Sequence, residues 1–333
     1  MTGPETTLST PRPADSTSQH LWVRIRTWNS RRTILLVTFA ILAALPALFP
    51  SAYTISTLLF FIPWYIAMTQ SWNISGGFSG QLSFGHWGLL GVGAYTTAIL
   101  AVTFGYNVVV AMIVAALVTL TLGLIIGYIG VGLRGAYFAI ATLAAAALMQ
   151  LVMLNWQSLT GGTFGFPIFF LIIPPVDLYY GALVLAALAT LLVYLISRNS
   201  LGLAFEAIRE NEDVAQASGV YPRGFKALAF GLSGAIMGPV GGLYALSSHY
   251  IDPSSAFNLL YNLQIILLVV VGGRGKVFGP VVTAILFAWV FEVALTNFSL
   301  YNDLITGVVM FVAVLLIPRG VFGFRRIPSF LRF

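Results

Sequence analysis

Cysteine is absent from this chain of 333 residues, and Asp, Glu, Lys and Arg together make up only 8% of it. The absence of cysteine excludes disulfides, thiolate metal sites and cysteine nucleophiles. The scarcity of charge excludes an ordinary water-facing shell, because soluble domains carry about 25% charged residues. The chain is instead 59% hydrophobic with a mean hydropathy of +0.93, which predicts an integral membrane protein.

The formal net charge of +6 raises the question of nucleic-acid binding. Proteins that bind nucleic acid present their Lys and Arg as an exposed stripe, often with aromatic residues between them. Here the Lys and Arg residues flank the apolar runs, as they do in the cytoplasmic loops of membrane proteins. The charge therefore predicts the orientation of the chain in a bilayer, and no nucleic-acid partner is expected.

The apolar runs predict an all-α polytopic membrane protein with ten spans. Residues 34–69 as one helix would be about 54 Å long, so they must form two spans across a hydrocarbon core of about 30 Å. Pro50 and Ser51 supply the turn. The apolar run 166–173 is too short to span, so we interpret it as an external re-entrant or interfacial segment. The predicted spans are 34–49, 53–68, 86–104, 108–130, 136–154, 178–196, 226–246, 253–271, 281–295 and 300–317.

Loop charges support this number of spans and place both termini in the cytoplasm. The predicted external loops contain Asp177, His249, Asp252 and Asp303 but no Lys or Arg, as the positive-inside rule requires. We divide the chain into a polar, disordered cytoplasmic tail with a basic flank (1–32), a transmembrane domain (33–318) and a basic cytoplasmic tail (319–333). The basic residues of the internal loops are Arg134, Arg198, Arg209, Arg223, Lys226, Arg274 and Lys276.

Polar residues inside the apolar part are candidates for a transport path. The glycine-rich stretch 75–100 contains Gln81, Ser83 and His86. It is either a cytoplasmic loop before the third span or a broken helix beside a path, since irregular backbone at membrane depth needs a protein or water-filled surrounding. Glu292 is the only carboxylate well inside a predicted span. It either lines the path or reaches water at the outer end of its helix.

The long internal loop 198–225 predicts a compact helix from residue 212 to residue 218. Asn211 can cap its start, Gly219 can supply the left-handed residue after its end, and Pro222 stops its continuation. Its small apolar side chains suit a groove on another protein. An ordinary solvated loop helix is the alternative.

Three glycine patterns favour packing over nucleotide binding. Gly234, Gly238 and Gly242 recur every four residues and predict a smooth face for close helix packing. The Gly-x-Gly-x-x-Gly pattern at 130–135 lies between spans and lacks the strand, turn and helix of a dinucleotide site. The segment around Gly275 and Lys276 lacks the first glycine and the Ser or Thr of a Walker A loop, so the chain is not expected to hydrolyse ATP.

Three stretches resemble the permease subunits of high-affinity branched-chain amino acid ABC importers, a family that also includes urea and amide importers. They are GGFSGQLSFGHWGLLGVGAYTTAIL, AIRENEDVAQASGVYPRGFKALAFGLSGAIMGPVGGLYA and VVVGGRGKVFGPVVTA. The resemblance covers most of residues 53–318. It implies a bacterial inner-membrane subunit that pairs with a second, similar permease, two cytoplasmic ATPase subunits and an external substrate-binding protein.

The resemblance also implies residue roles. The helix that docks on an ATPase would contain Arg209, Glu210, Asn211, Glu212, Asp213, Ala217 and Gly219. No cofactor is expected on this chain, because the partner subunits would use the ATP. Branched-chain amino acids are the first expectation for the substrate, and urea or a short amide is the second.

Two other classes remain as alternatives. An ion-coupled secondary transporter would use Glu292 and His86 as a proton relay and would work without ATPase partners. A membrane enzyme would use Asp177, His249 and Asp252 on a lipid-linked substrate, although no nucleophile accompanies them.

Overall fold

The computed structural model describes residues 33–297 apart from Arg134 and Phe170, together with residues 307, 308 and 312. The side chains of residues 57, 58, 131 and 291–297 are not part of this description. The predicted tails, 1–32 and 319–333, lie outside the described residues. The predicted span 300–317 also lies outside them, except for three helical positions.

The described chain is almost entirely helical. Its two strands, β1 (Phe166–Pro167) and β2 (Tyr250–Ile251), pair antiparallel. The helices are α1 (Thr33–Leu48), α2 (Phe61–Trp72), α3 (His86–Ala98), α4 (Val108–Ile129), α5 (Ala136–Asn155), α6 (Pro175–Ile196), α7 (Ser200–Glu210), α8 (Glu212–Ala217), α9 (Pro222–Ser248), α10 (Leu259–Gly272) and α11 (Phe278–Asn297). Short helical turns are Ala52–Thr54, Gln157–Thr160 and Pro253–Ala256.

Five helical segments of the described chain are long and apolar enough to cross a bilayer: α4, α5, α6, α9 and Pro253–Gly272. Two more, α1 and Phe278–Val290, are apolar but shorter. The turn predicted at Pro50 lies between α1 and the helical turn that begins at Ala52. As predicted, 166–173 is no span, because β1 lies there and no helix occurs at its described positions.

π-Helical turns lie on both sides of α2 and at the end of α3. The helical stretch containing α2 includes π turns at Ile55–Leu59 and Asn73–Phe78, and α3 continues into a π turn at Ile99–Thr103. Such turns concentrate at functional sites. Between Phe78 and His86 the chain leaves the helix altogether, and most of this connection is buried. The glycine-rich stretch thus contains a non-helical, partly buried connection between two helical stretches.

Helix α9 forms the centre of the bundle and packs along α4 and α3. The predicted glycine face explains this close approach. A Cβ atom built on Gly234 would lie 2.4 Å from the carbonyl oxygen of Thr119, and one on Gly242 would lie 2.4 Å from Thr97 Oγ1. No side chain fits at such distances, so glycine lets the helix backbones touch. On the other side of the bundle, α2 packs against α6 and α11.

Candidate functional site

Arg209, the next-to-last residue of α7, joins the three stretches that carry the family resemblance. Its Nη1 donates a hydrogen bond of 3.0 Å to the carbonyl oxygen of Gly77 in the first stretch. A Cβ atom on Gly80 would lie 2.7 Å from Arg209 Cγ, and one on Gly275 would lie 2.5 Å from Arg209 Nη1. The glycines thus leave room for the arginine. We call residues 77–80, Arg209 and 272–279 the motif junction.

The loop between α10 and α11 is fixed in the motif junction by two amide side chains. Asn73 Nδ2 donates to the Lys276 carbonyl oxygen at 2.8 Å, and Asn73 Oδ1 accepts from the Gly275 N–H at 3.0 Å. Gln70 Nε2 donates to the Val277 carbonyl oxygen at 2.8 Å. These bonds attach a loop to the π turn that follows α2, although more than 200 residues separate them.

Helix α8 is capped at both ends as the sequence predicts. Asn211 Oδ1 accepts from the backbone N–H groups of Asp213 and Val214 at 3.0 and 3.2 Å. Gly219, at φ +86°, follows the helix, and the N–H of Val220 returns to the Ala215 carbonyl oxygen at 3.0 Å. This pattern is a Schellman motif. The helix ends at Ala217, one residue before the predicted end.

An ion pair attaches α8 to α9. Lys226 Nζ lies 2.5 Å from Glu212 Oε2, and the two side chains are only 9% and 18% exposed. Ala215 faces inward, whereas Asp213, Val214 and Ala217 are exposed. The short helix therefore has one face fixed to the bundle and one face available to another protein.

His86, the first residue of α3, lies in a fully buried polar cluster. Its Nε2 lies 3.1 Å from Ser233 Oγ on α9 and 3.4 Å from Ser75 Oγ. Its backbone N–H donates to Asn262 Oδ1 on α10 at 3.0 Å. The Ser83 carbonyl oxygen accepts from Asn262 Nδ2 at 3.4 Å. Three helices and the non-helical connection 79–85 thus meet here, and the candidate residues Ser83 and His86 both take part in the cluster.

Gln81 lies beside the end of α7 and the start of α8, apart from the cluster of His86. It lines a cavity of about 270 Å³ together with residues 208–213. Its backbone N–H donates to the Ser75 carbonyl oxygen at 2.9 Å, which links the cavity wall to the His86 cluster. The side chain is 6% exposed, and its amide nitrogen and oxygen have no hydrogen-bond partner among the described residues.

Of the other candidates, His249 and Asp252 have structural roles at helix ends, and the role of Glu292 is not tested. Glu292 belongs to α11, but its side chain lies outside the described residues. His249, at φ +58°, ends α9, and Asp252 caps the turn Pro253–Ala256 through Ser254 and Ser255. Within the described part of the chain, no group of three or more His, Asp or Glu residues could hold a metal ion.

Sequence reasoning missed Gln70, Asn73, Ser233 and Asn262. The signal was present, because each interrupts an apolar segment, and polar residues at such positions usually satisfy backbone groups or serve function. The sequence did not show which residues these four would bond to. Each side chain bonds to a segment at least 147 residues away.

The apolar helices of spanning length and their packing into one bundle define the class of protein, a multi-pass membrane protein. The chain belongs to the family described as the permease component of branched-chain amino acid transport systems, whose sequence profile matches residues 54–314.

Two relatives agree with this assignment. The chain is 30% identical over 292 residues to the high-affinity branched-chain amino acid transport system permease protein LivM of Escherichia coli K12. The alignment covers 79% of this chain and 68% of that protein. The protein of the same description from Salmonella typhimurium LT2 matches with the same identity and coverage. No solved structure matches the chain significantly.

Proposed function

We propose that this chain is the membrane-spanning permease subunit of an ATP-driven importer that moves branched-chain amino acids across the bacterial inner membrane by alternating access. The family assignment supports the transport role. The proposed mechanism rests on the contacts of Arg209, which lies just before α8. These contacts connect the region of α8 with residues 77–80 and with the loop 272–279.

The remaining partners and the topology belong to the same proposal. A second, similar permease completes the membrane unit, two cytoplasmic ATPase subunits dock on α8, and an external binding protein delivers the substrate. The chain crosses the bilayer ten times with both termini inside. Arg209, Glu210, Asn211, Glu212, Asp213, Ala217 and Gly219 form the docking region, and Gln81, Ser83, His86 and Glu292 are assigned to the path.

Alternating access requires contacts that differ between two states. Gln81 supplies one such difference, because a buried amide without partners raises the free energy of the state in which it occurs. Since it lies against residues 208–213, a movement of α8 changes its surroundings. ATP-driven closure of the partner ATPases is the proposed source of that movement.

The first experiment removes the cap of α8. Asn211→Ala should weaken this helix by about 1 kcal/mol, because two backbone N–H groups lose their acceptor. We expect leucine uptake by the assembled transporter to fall at least fivefold, while its ATPase activity persists and assembly is unchanged. The matched control is Asn199→Ala, because Asn199 stands at the start of α7 without a side-chain capping bond.

Normal uptake by Asn211→Ala and by the double variant Glu210→Ala, Asn211→Ala would contradict the docking assignment. The same assay compares leucine with urea and acetamide. Uptake of urea or acetamide alone would replace the amino-acid assignment by the amide alternative. Uptake by the chain alone under an ion gradient would establish a secondary transporter instead.

A further inference from the structure

A basic cleft lies at the end of the bundle where α6, α7 and the loop before α11 meet. It has a volume of about 410 Å³ and contains four cationic side chains and one carboxylate. The guanidinium carbon of Arg198 lies 5.4 Å from the centre of the Tyr194 ring. The charged lining residues are Arg198, Arg209, Arg274, Lys276 and Glu206.

An apolar groove of about 420 Å³ lies between α1 and α6 and shares Tyr194 with the basic cleft. It is lined by Leu35, Leu36, Phe39, Ala187, Thr190, Leu191, Tyr194 and Leu195.

Bonds from Tyr179 and Tyr180 to the backbone of Leu42 and Ala43 fix the far part of α1 to α6. The groove therefore opens between the parts of these helices that lie nearer to the cleft.

Tyr194 of α6 lines both cavities. Residues 187, 190, 191, 194 and 195 repeat at the spacing of one helix face, and Arg198 follows in the turn after the helix ends at Ile196. Eight residues of helix correspond to about 12 Å, a length that accommodates part of an acyl chain. The two cavities thus adjoin at Tyr194, where the lining changes from apolar to positively charged, and together they form one candidate binding surface.

We propose that this surface binds one anionic phospholipid, with its phosphate in the basic cleft and an acyl chain in the apolar groove. Charge selects the headgroup, because basic pockets at helix ends attract anionic lipids. The apolar groove distinguishes a lipid from a soluble phosphate, which has nothing to place there. The cleft contains none of the residues assigned to the path, but it shares Arg209 and residues 274–278 with the motif junction.

Native mass spectrometry of the purified full-length chain tests the proposal, with phosphatidylglycerol and phosphatidylcholine of identical acyl chains as probes. We expect one phosphatidylglycerol to bind at least tenfold more tightly than phosphatidylcholine. Arg274→Gln should weaken its binding about fivefold, the scale of one basic residue near a headgroup. Arg274→Lys should retain binding. Arg223→Gln is the control, because this exposed residue does not line the cleft.

The groove has its own matched pair of variants. Leu191→Trp fills the groove and should weaken both lipids, whereas Leu188→Trp lies on a neighbouring exposed face and should weaken neither.

Equal effects of both Trp variants, or of Arg274→Gln and Arg223→Gln, would overturn the proposal. Displacement of the lipid by millimolar glycerol 1-phosphate, with no effect of Leu191→Trp, would show a soluble-anion site and overturn it as well. Absence of lipid binding, with a co-purifying protein lost in Arg274→Gln, would assign the cleft to that protein.

Discussion

Gln81 is the residue at which local stability and the proposed function have opposite requirements. A buried amide that lacks partners destabilises the state that contains it by about 1–3 kcal/mol. Methionine has a similar shape and no such requirement. A residue kept at this cost in one state is expected to gain hydrogen bonds in another.

The first prediction concerns the effect of this amide on stability and on transport. Gln81→Met should raise the midpoint of thermal unfolding of the purified chain, because the unsatisfied amide is removed, and should lower leucine uptake by the assembled transporter. Gln157→Met, in the short turn between α5 and β1, is an exposed comparison that should change neither quantity. Lower stability of Gln81→Met would show that the amide already has partners.

Asp252 gives a prediction on pH. Burial raises the pKa of its carboxyl group. Hydrogen bonds from Ser255 and Ser254 together lower the pKa by more than burial raises it, so the pKa lies below the ordinary value of 3.8. A carboxylate with a lowered pKa stabilises the fold above the ordinary value, and this stabilisation is lost as the pH falls through the lowered pKa.

Asp252→Ala should therefore destabilise the chain by about 1 kcal/mol at pH 7, the usual value of a helix cap. The difference in the free energy of unfolding between Asp252→Ala and the unsubstituted chain should shrink as the pH is lowered below 3.8. Asp252→Asn keeps an acceptor that does not titrate, so its stability should lack this component of pH dependence. Thermal unfolding in detergent between pH 3 and pH 7 provides the measurement. A difference that is constant with pH would contradict the assignment.

Among the elements, α9 is the one whose packing depends most on glycine. A Cβ atom on Gly241 would lie 2.0 Å from the Leu90 carbonyl oxygen of α3, a backbone atom that cannot move without its helix. Gly181 on α6 has its nearest neighbour at 3.4 Å, which is ordinary contact. Both are helical, so alanine improves helix propensity equally at the two positions.

The prediction compares these two positions. Gly241→Ala should destabilise the chain by about 1–3 kcal/mol or more, as overpacking does, and separate α9 from α3. Gly181→Ala should be neutral or slightly stabilising. Thermal unfolding of the two purified variants measures the difference. Equal stabilities would show that α9 and α3 adjust without cost.

Local signals were sufficient to predict several elements. The spacing of Gly234, Gly238 and Gly242 predicted a packing face, and Asn211 and Gly219 predicted the ends of α8, because caps depend on neighbouring residues alone. The π turns were not predicted, since an apolar run has the same composition with or without them. Nor was the motif junction, because the bonds of Asn73 and Arg209 join residues more than 130 positions apart.

At the scale of the whole molecule, the absence of cysteine makes the proposed topology directly measurable. Arg223→Cys, near the start of α9 and outside the docking region, should react with a membrane-impermeant maleimide only after the cytoplasmic side is opened. Asp177→Cys, in the first turn of α6, should react in intact cells. Both positions are exposed in the described structure. Reaction of both residues from the same side would exclude the proposed orientation.

Helix α9 runs through the bundle from the ion pair with α8 to strand β2 at its other end. At about 1.5 Å per residue, its 27 residues measure about 40 Å, close to a bilayer including its headgroup regions. The length of this core helix thus sets the bilayer thickness that the protein matches best. In a bilayer of another thickness, either the bilayer deforms around the helix or the helix tilts. Each ångström of mismatch then costs a fraction of a kcal/mol of free energy.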